Sequence, residues 1–173
     1  MKLQTFAINL FLISLGSIVI NNNIKQKEIT SYLKSGLEKS GEGDHTGAIK
    51  EFNKALEVNP RNIYALMQRG LSKRKSEDNS GAISDFTRII EIKPRSAYAF
   101  YNRALTKSKL KDHSGEIADY AEAININPGF AGAYMNRGIA NSEIGNVGDA
   151  CSDWEKASSL HFKHAKRLLK EKC

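Results

Sequence analysis

A chain of 173 residues with 40% hydrophobic and 26% charged side chains is long enough for one domain with a core of its own, and too apolar to be a disordered tail. Its three prolines leave long helices unbroken. The formal net charge of +7 suits an acidic partner or an anionic surface but names neither, and a solvated basic face accounts for it equally well.

In chain order, the first segment differs from the rest of the chain. Met1-Lys2 leads into the apolar run Phe6 to Ile20, interrupted by Asn9, Ser14, Gly16 and Ser17, and Asn21-Asn22-Asn23 close it. One positive charge, an apolar stretch and a polar exit is the layout of a secretory signal. The run falls short of the roughly 20 residues that span a membrane. Ser14-Leu15-Gly16 has the small residues of a cleavage site, although cutting there leaves Ile18-Val19-Ile20 on the mature end. Residues 1–24 are therefore expected to be a signal peptide or an N-terminal membrane anchor. The protein is expected to be exported, whether periplasmic, lumenal or secreted.

From residue 25 a 34-residue step takes over. Pro60, Pro94 and Pro128, the only prolines, keep that spacing. Gly36, Gly70, Ala104 and Gly138 form a column of small residues, and Ala48, Ala82, Glu116 and Ala150 a second with one exception. Phe52, Phe86, Tyr120 and Trp154 are aromatic throughout, and Tyr32, Leu66, Phe100 and Tyr134 are large and apolar. Each unit opens with apolar residues at helical spacing, such as Tyr98, Tyr101 and Leu105, then breaks at a polar turn. Thr46, Ser80 and Ser114 are the expected N-caps of a second helix. That helix aligns residues such as Ala48, Phe52 and Ala55 on one face, and the proline follows its end. The expected units are about 29–62, 63–96, 97–130 and 131–164, within 25–164.

These columns resemble the tetratricopeptide repeat family. The resemblance implies an all-α, right-handed superhelical solenoid of four antiparallel helix pairs with a concave groove, closed by a C-terminal capping helix over 165–173. It implies a non-enzymatic scaffold or adaptor that binds a protein or peptide. Lys39, Lys73 and Lys107 depart from the family's usual tyrosine, and Phe162 replaces the last proline. Glu116 stands in an alanine column, so the third unit is expected to loosen or its carboxylate to turn outward.

The groove, by this resemblance, is lined by first helices: Tyr64, Met67, Gln68 and Leu71, then Tyr98, Tyr101, Asn102 and Leu105, then Met135, Asn136 and Ile139. Aromatic, thioether and amide groups suit an extended peptide; Leu71, Leu105 and Ile139 read equally as core between units. Some family members clamp a partner's terminal carboxylate with lysine, asparagine and arginine. The matching positions here are Leu33, Leu37, Gln68, Tyr98 and Asn102, without cations, so that clamp is not expected.

Arg69, Arg103 and Arg137 are each followed sixteen residues on by Asp85, Asp119 and Asp153. The simplest account is a structural Arg–Asp bond inside each unit, the other an anion-binding ladder along the groove. Basic residues crowd Lys73-Arg74-Lys75, Lys107 to Lys111, and Lys163 to Lys172. An alternative function follows from them: a membrane-tethered assembly factor meeting an acidic subunit or a lipid surface through its basic edge. Nucleic acid is not expected, and a membrane only if the N-terminal segment stays uncleaved.

Cys151 and Cys173 are the only cysteines, and the closing helix would bring the second back towards the first. Either they pair, which fits an oxidising compartment, or Cys151 is a buried thiol and Cys173 a loose one. His45 and His113 read as turn residues beside Asp44 and Asp112, and His161 and His164 share a helical face without carboxylates. No phosphate loop, serine elbow or zinc signature occurs, so no cofactor, metal or catalytic residue is expected.

Overall fold

The repeated turn sequences set the helix boundaries. The computed structural model describes the backbone of residues 2–173 and the side chains of residues 21–173. Its helices are α1 (Lys2–Gly41), α2 (His45–Val58), α3 (Ile63–Lys75), α4 (Asn79–Ile92), α5 (Ala97–Lys109), α6 (His113–Ile126), α7 (Ala131–Glu143), α8 (Val147–Ser159) and α9 (Lys163–Lys172). Among the described residues there are no strands. The chain divides into two compact units, Met1–Ala65 and Leu66–Cys173.

The N-caps differ from those expected. Asp44, Asp78 and Asp112 cap α2, α4 and α6, their carboxylates accepting from the N–H of Gly47, Gly81 and Gly115 at 2.8, 2.9 and 3.0 Å. Thr46, Ser80 and Ser114 lie inside the first turn. Aspartate wins because its oxygen reaches the orphan N–H three residues on. A glycine there has no Cβ to collide with the carboxylate. The residue before each of these caps turns left-handed, at Gly43, Glu77 and Lys111. At the other end, Asn59, Lys93 and Asn127 leave the helical region and bond back to the carbonyls of Ala55, Ile89 and Ala123. The proline after each one holds the chain extended.

Paired helices approach where the small column meets the aromatic one. In the first unit a Cβ on Gly36 would stand 2.5 Å from Phe52, so α1 and α2 close on that ring with Ala48 and Ala55 buried beside it. In the second unit Gly70 meets Phe86, Ala104 meets Tyr120 and Gly138 meets Trp154. The last pair is closed by α9. Ala165, Leu168, Leu169 and Phe162 pack onto Trp154, Ala157 and Met135. Cys151 and Cys173 are joined there, with their Cα atoms 6.0 Å apart.

Glu116 corrects the expectation of an outward carboxylate: it is 2% exposed. His113, one turn earlier, places Nδ1 2.9 Å from Glu116 Oε1 and so holds it inside. The expected signal or anchor at residues 1–24 lies largely outside the described side chains. Among the described residues no helix is long and apolar enough to cross a membrane.

Candidate protein-interaction site

Within the second unit, the first helices α3, α5 and α7 are linked by side chains one repeat and one residue apart. Asn102 Nδ2 lies 4.0 Å from Met67 Sδ and donates to the Tyr98 carbonyl at 2.8 Å. Asn136 Nδ2 donates to the Tyr101 hydroxyl at 3.0 Å. The amide nitrogens expected to meet a peptide backbone are thus engaged, that of Asn136 across to α5 and that of Asn102 chiefly on its own helix. They brace the face as well as lining it.

Tyr98 stands out on this face at 65% exposure. Its ring rests 5.2 Å from that of Phe130, which also stacks at 4.6 Å on Tyr101. Tyr101 is half-buried, and desolvation drives its hydroxyl pKa upward against the opposing pull of Asn136. Met67, Gln68 and Leu71 are half-buried, and Leu105 packs on the Ala104–Tyr120 core. Met135 is not surface: it is buried on Trp154, whose indole N–H donates to its carbonyl at 3.3 Å. The reason is register, since Met135 takes the α7 side that faces α8. Ile139 is exposed, and so is Tyr64 in the first unit.

Behind the face, each arginine grips its aspartate through two nitrogens. Arg103 Nε and Nη2 donate to Asp119 at 2.8 and 2.7 Å, and Arg137 to Asp153 at 2.9 and 2.7 Å. Arg69 holds Asp85 in the same way, with Nε at 2.9 Å. The carboxylates are buried, so these are anchored internal pairs. Arg103 also donates to Thr87 Oγ1 at 3.0 Å, tying its repeat to the one before.

Sequence reasoning missed the second cation. Lys73 lies 3.0 Å from Asp85 and Lys107 2.9 Å from Asp119. These are the lysines that replaced the expected tyrosine, and their spacing four residues after each arginine was the available signal. The fourth repeat puts Asn141 in the column, with Nδ2 3.4 Å from Asp153. The Asp153 hydrogen bond pushes the Arg137 pKa further up.

Helix pairs of this geometry recur in solved structures, and the tetratricopeptide repeat model matches residues 29–62 and 97–130. The chain carries tetratricopeptide repeats. A crystal structure of MamA protein superposes with a TM-score of 0.77 at 25% identity, over 83% of this chain and 80% of that one. MamA 41-end from Desulfovibrio magneticus RS-1 gives 0.72 at 17% identity, over 77% and 75%. The first tetratricopeptide domain of Spaghetti (RPAP3), bound to the HSP90 peptide SRMEEVD, gives 0.60 at 24% identity, over 64% and 90%. No curated protein sequence matches the chain. Tetratricopeptide repeat proteins are interaction scaffolds and generally not enzymes.

Proposed function

We propose that this protein is an exported scaffold that holds an extended segment of a partner protein against the face of α3, α5 and α7 in its second unit. The exposed ring of Tyr98, propped by Phe130 on a braced helix, carries the reading. A large amphipathic ring held rigid contributes contact area at little entropic cost, the usual character of an interaction hot spot. Gln68, Asn102 and Asn136 put amides beside it, and Met67 a soft surface.

The partner's mode differs from that of a carboxylate clamp. The domain bound to SRMEEVD is a relative in fold, but here Leu33, Leu37, Gln68, Tyr98 and Asn102 occupy the matching positions. None is a cation. An internal peptide segment, rather than a terminal carboxylate, fits such a face.

Export rests on the layout of residues 1–24 together with the Cys151–Cys173 pair, since paired cysteines persist in oxidising compartments. Mature protein beginning after residue 16 would mark a released form; an intact N-terminus would mark a tether. Capture from the native extract tests the interaction. Tyr98→Ala, alone and with Asn102→Ala, is expected to lose the partner, while Lys166→Ala with Lys170→Ala keeps it. The opposite pattern moves binding to the basic α9 and favours an acidic subunit or a lipid surface.

A further inference from the structure

Two glutamates of α6 and α7 depart from their repeat columns and meet a histidine in one place. Position 116 is alanine in the other three repeats, and position 143 is Lys75 and Lys109 in the two repeats before. His113 has only His45 as a counterpart, with Asn79 and Val147 in the neighbouring repeats. The departures bring an imidazole and two carboxylates together. His113 Nδ1 lies 2.9 Å from Glu116 Oε1 and 3.5 Å from Glu143 Oε2. The three donor atoms all stand within 4.8 Å of one another.

Charge does not balance at this point. One imidazolium offsets one carboxylate, and one Nδ1–H donates along one line, yet two carboxylates converge on it. Among the described residues neither glutamate has another hydrogen-bond or ion-pair partner. A carboxylate buried as deeply as Glu116 is costly with a single hydrogen bond. The alanine of the other repeats avoids that cost.

We propose that His113, Glu116 and Glu143 bind a divalent transition-metal ion of the zinc class, which staples α6 to α7. Neutral imidazole through Nδ1, two carboxylate oxygens and a water make the mixed nitrogen and oxygen set that such ions take, whereas Ca2+ and Mg2+ call for about six or more oxygens. Bonds of about 2.0–2.2 Å in a tetrahedral site put ligand atoms roughly 3.3–3.5 Å apart. The observed separations bracket that value, and the exposed Glu143 supplies the small closing movement. Two carboxylates and a dication leave the site neutral. Metal and proton compete for Nδ1, since only the deprotonated nitrogen ligates.

The test uses the full chain, disulfide intact and stripped with chelator, titrated with Zn2+ by calorimetry at neutral pH. We expect one saturable site, a rise in melting temperature that chelator reverses, and tighter binding at higher pH. Glu143→Gln, at an exposed position, keeps the helical circular dichroism and weakens binding by about 10- to 100-fold or more. The pair His113→Asn with Glu116→Ala installs the second repeat's own residues, so it folds and abolishes the site. No saturable binding by the wild type overturns the proposal. So does an isotherm unchanged in both variants, which would place the ion elsewhere, for instance on His161 and His164.

Discussion

Asp119 and Asp153 occupy the same place in successive repeats but do not have the same neighbours. Asp119 is held by Arg103 and by Lys107 at 2.9 Å, whereas Asp153 has Arg137 and only the Asn141 amide at 3.4 Å. Removing the arginine therefore leaves one buried carboxylate with a cation and the other without. Arg137→Ala is expected to destabilise by about 3–5 kcal/mol, and Arg103→Ala by clearly less, read from urea unfolding midpoints. Equal losses would mean that the lysine column contributes nothing. Gly70→Ala is a second test at this scale, because its new Cβ would lie 2.8 Å from the Phe86 ring. Overpacking of this kind costs about 1–3 kcal/mol against about 1 kcal/mol gained in helix propensity, so a lower melting temperature is expected. The Arg–Asp pairs were legible because sixteen residues span one antiparallel turn. The lysines were not, because a lysine near a helix end reads as solvated until a buried carboxylate is found beside it. Glu116 was noticed as an exception, but its partner His113 was read as a turn residue.

The helices themselves follow from local chemistry repeated four times. Their C-terminal ends were readable from the prolines, and their cores from the small and aromatic columns. Their starts were misplaced because aspartate was taken for turn chemistry and the hydroxyl residues for caps. Asp78→Ala tests the correction: it should cost about 1 kcal/mol, while Ser80→Ala should cost little in the same denaturant series. At the far end α9 seals the last pair through Ala165, Leu168 and Leu169. Linking Cys151 to Cys173, a separation of 22 residues, removes loop entropy from the unfolded chain worth about 3 kcal/mol. Reduction, or Cys173→Ser, is expected to lower the melting temperature and to speed amide exchange first in α9. If exchange in α9 is unaffected, the bond does not hold that helix.

For the molecule as a whole, the 34-residue step carried the family and the fold, since four copies without insertion admit few other architectures. The interaction face was legible only as a set of candidates. Tyr98 stays exposed, but Met135 turns inward, the Asn136 amide donates to the neighbouring α5 and the Asn102 amide donates chiefly to the Tyr98 carbonyl of its own helix. Such outcomes depend on which side of a first helix meets its partner, and one sequence with a helical period leaves that a matter of one residue in either direction. The proposed function makes the braced first helices the working part of the protein. Hydrogen exchange across the whole chain, with and without a captured partner, tests this most directly. Protection concentrated in α5 around Tyr98 and Asn102, with α3 and α7 beside it, is the expected result. Protection confined to the basic α9, with α5 exchanging as it does alone, would contradict it.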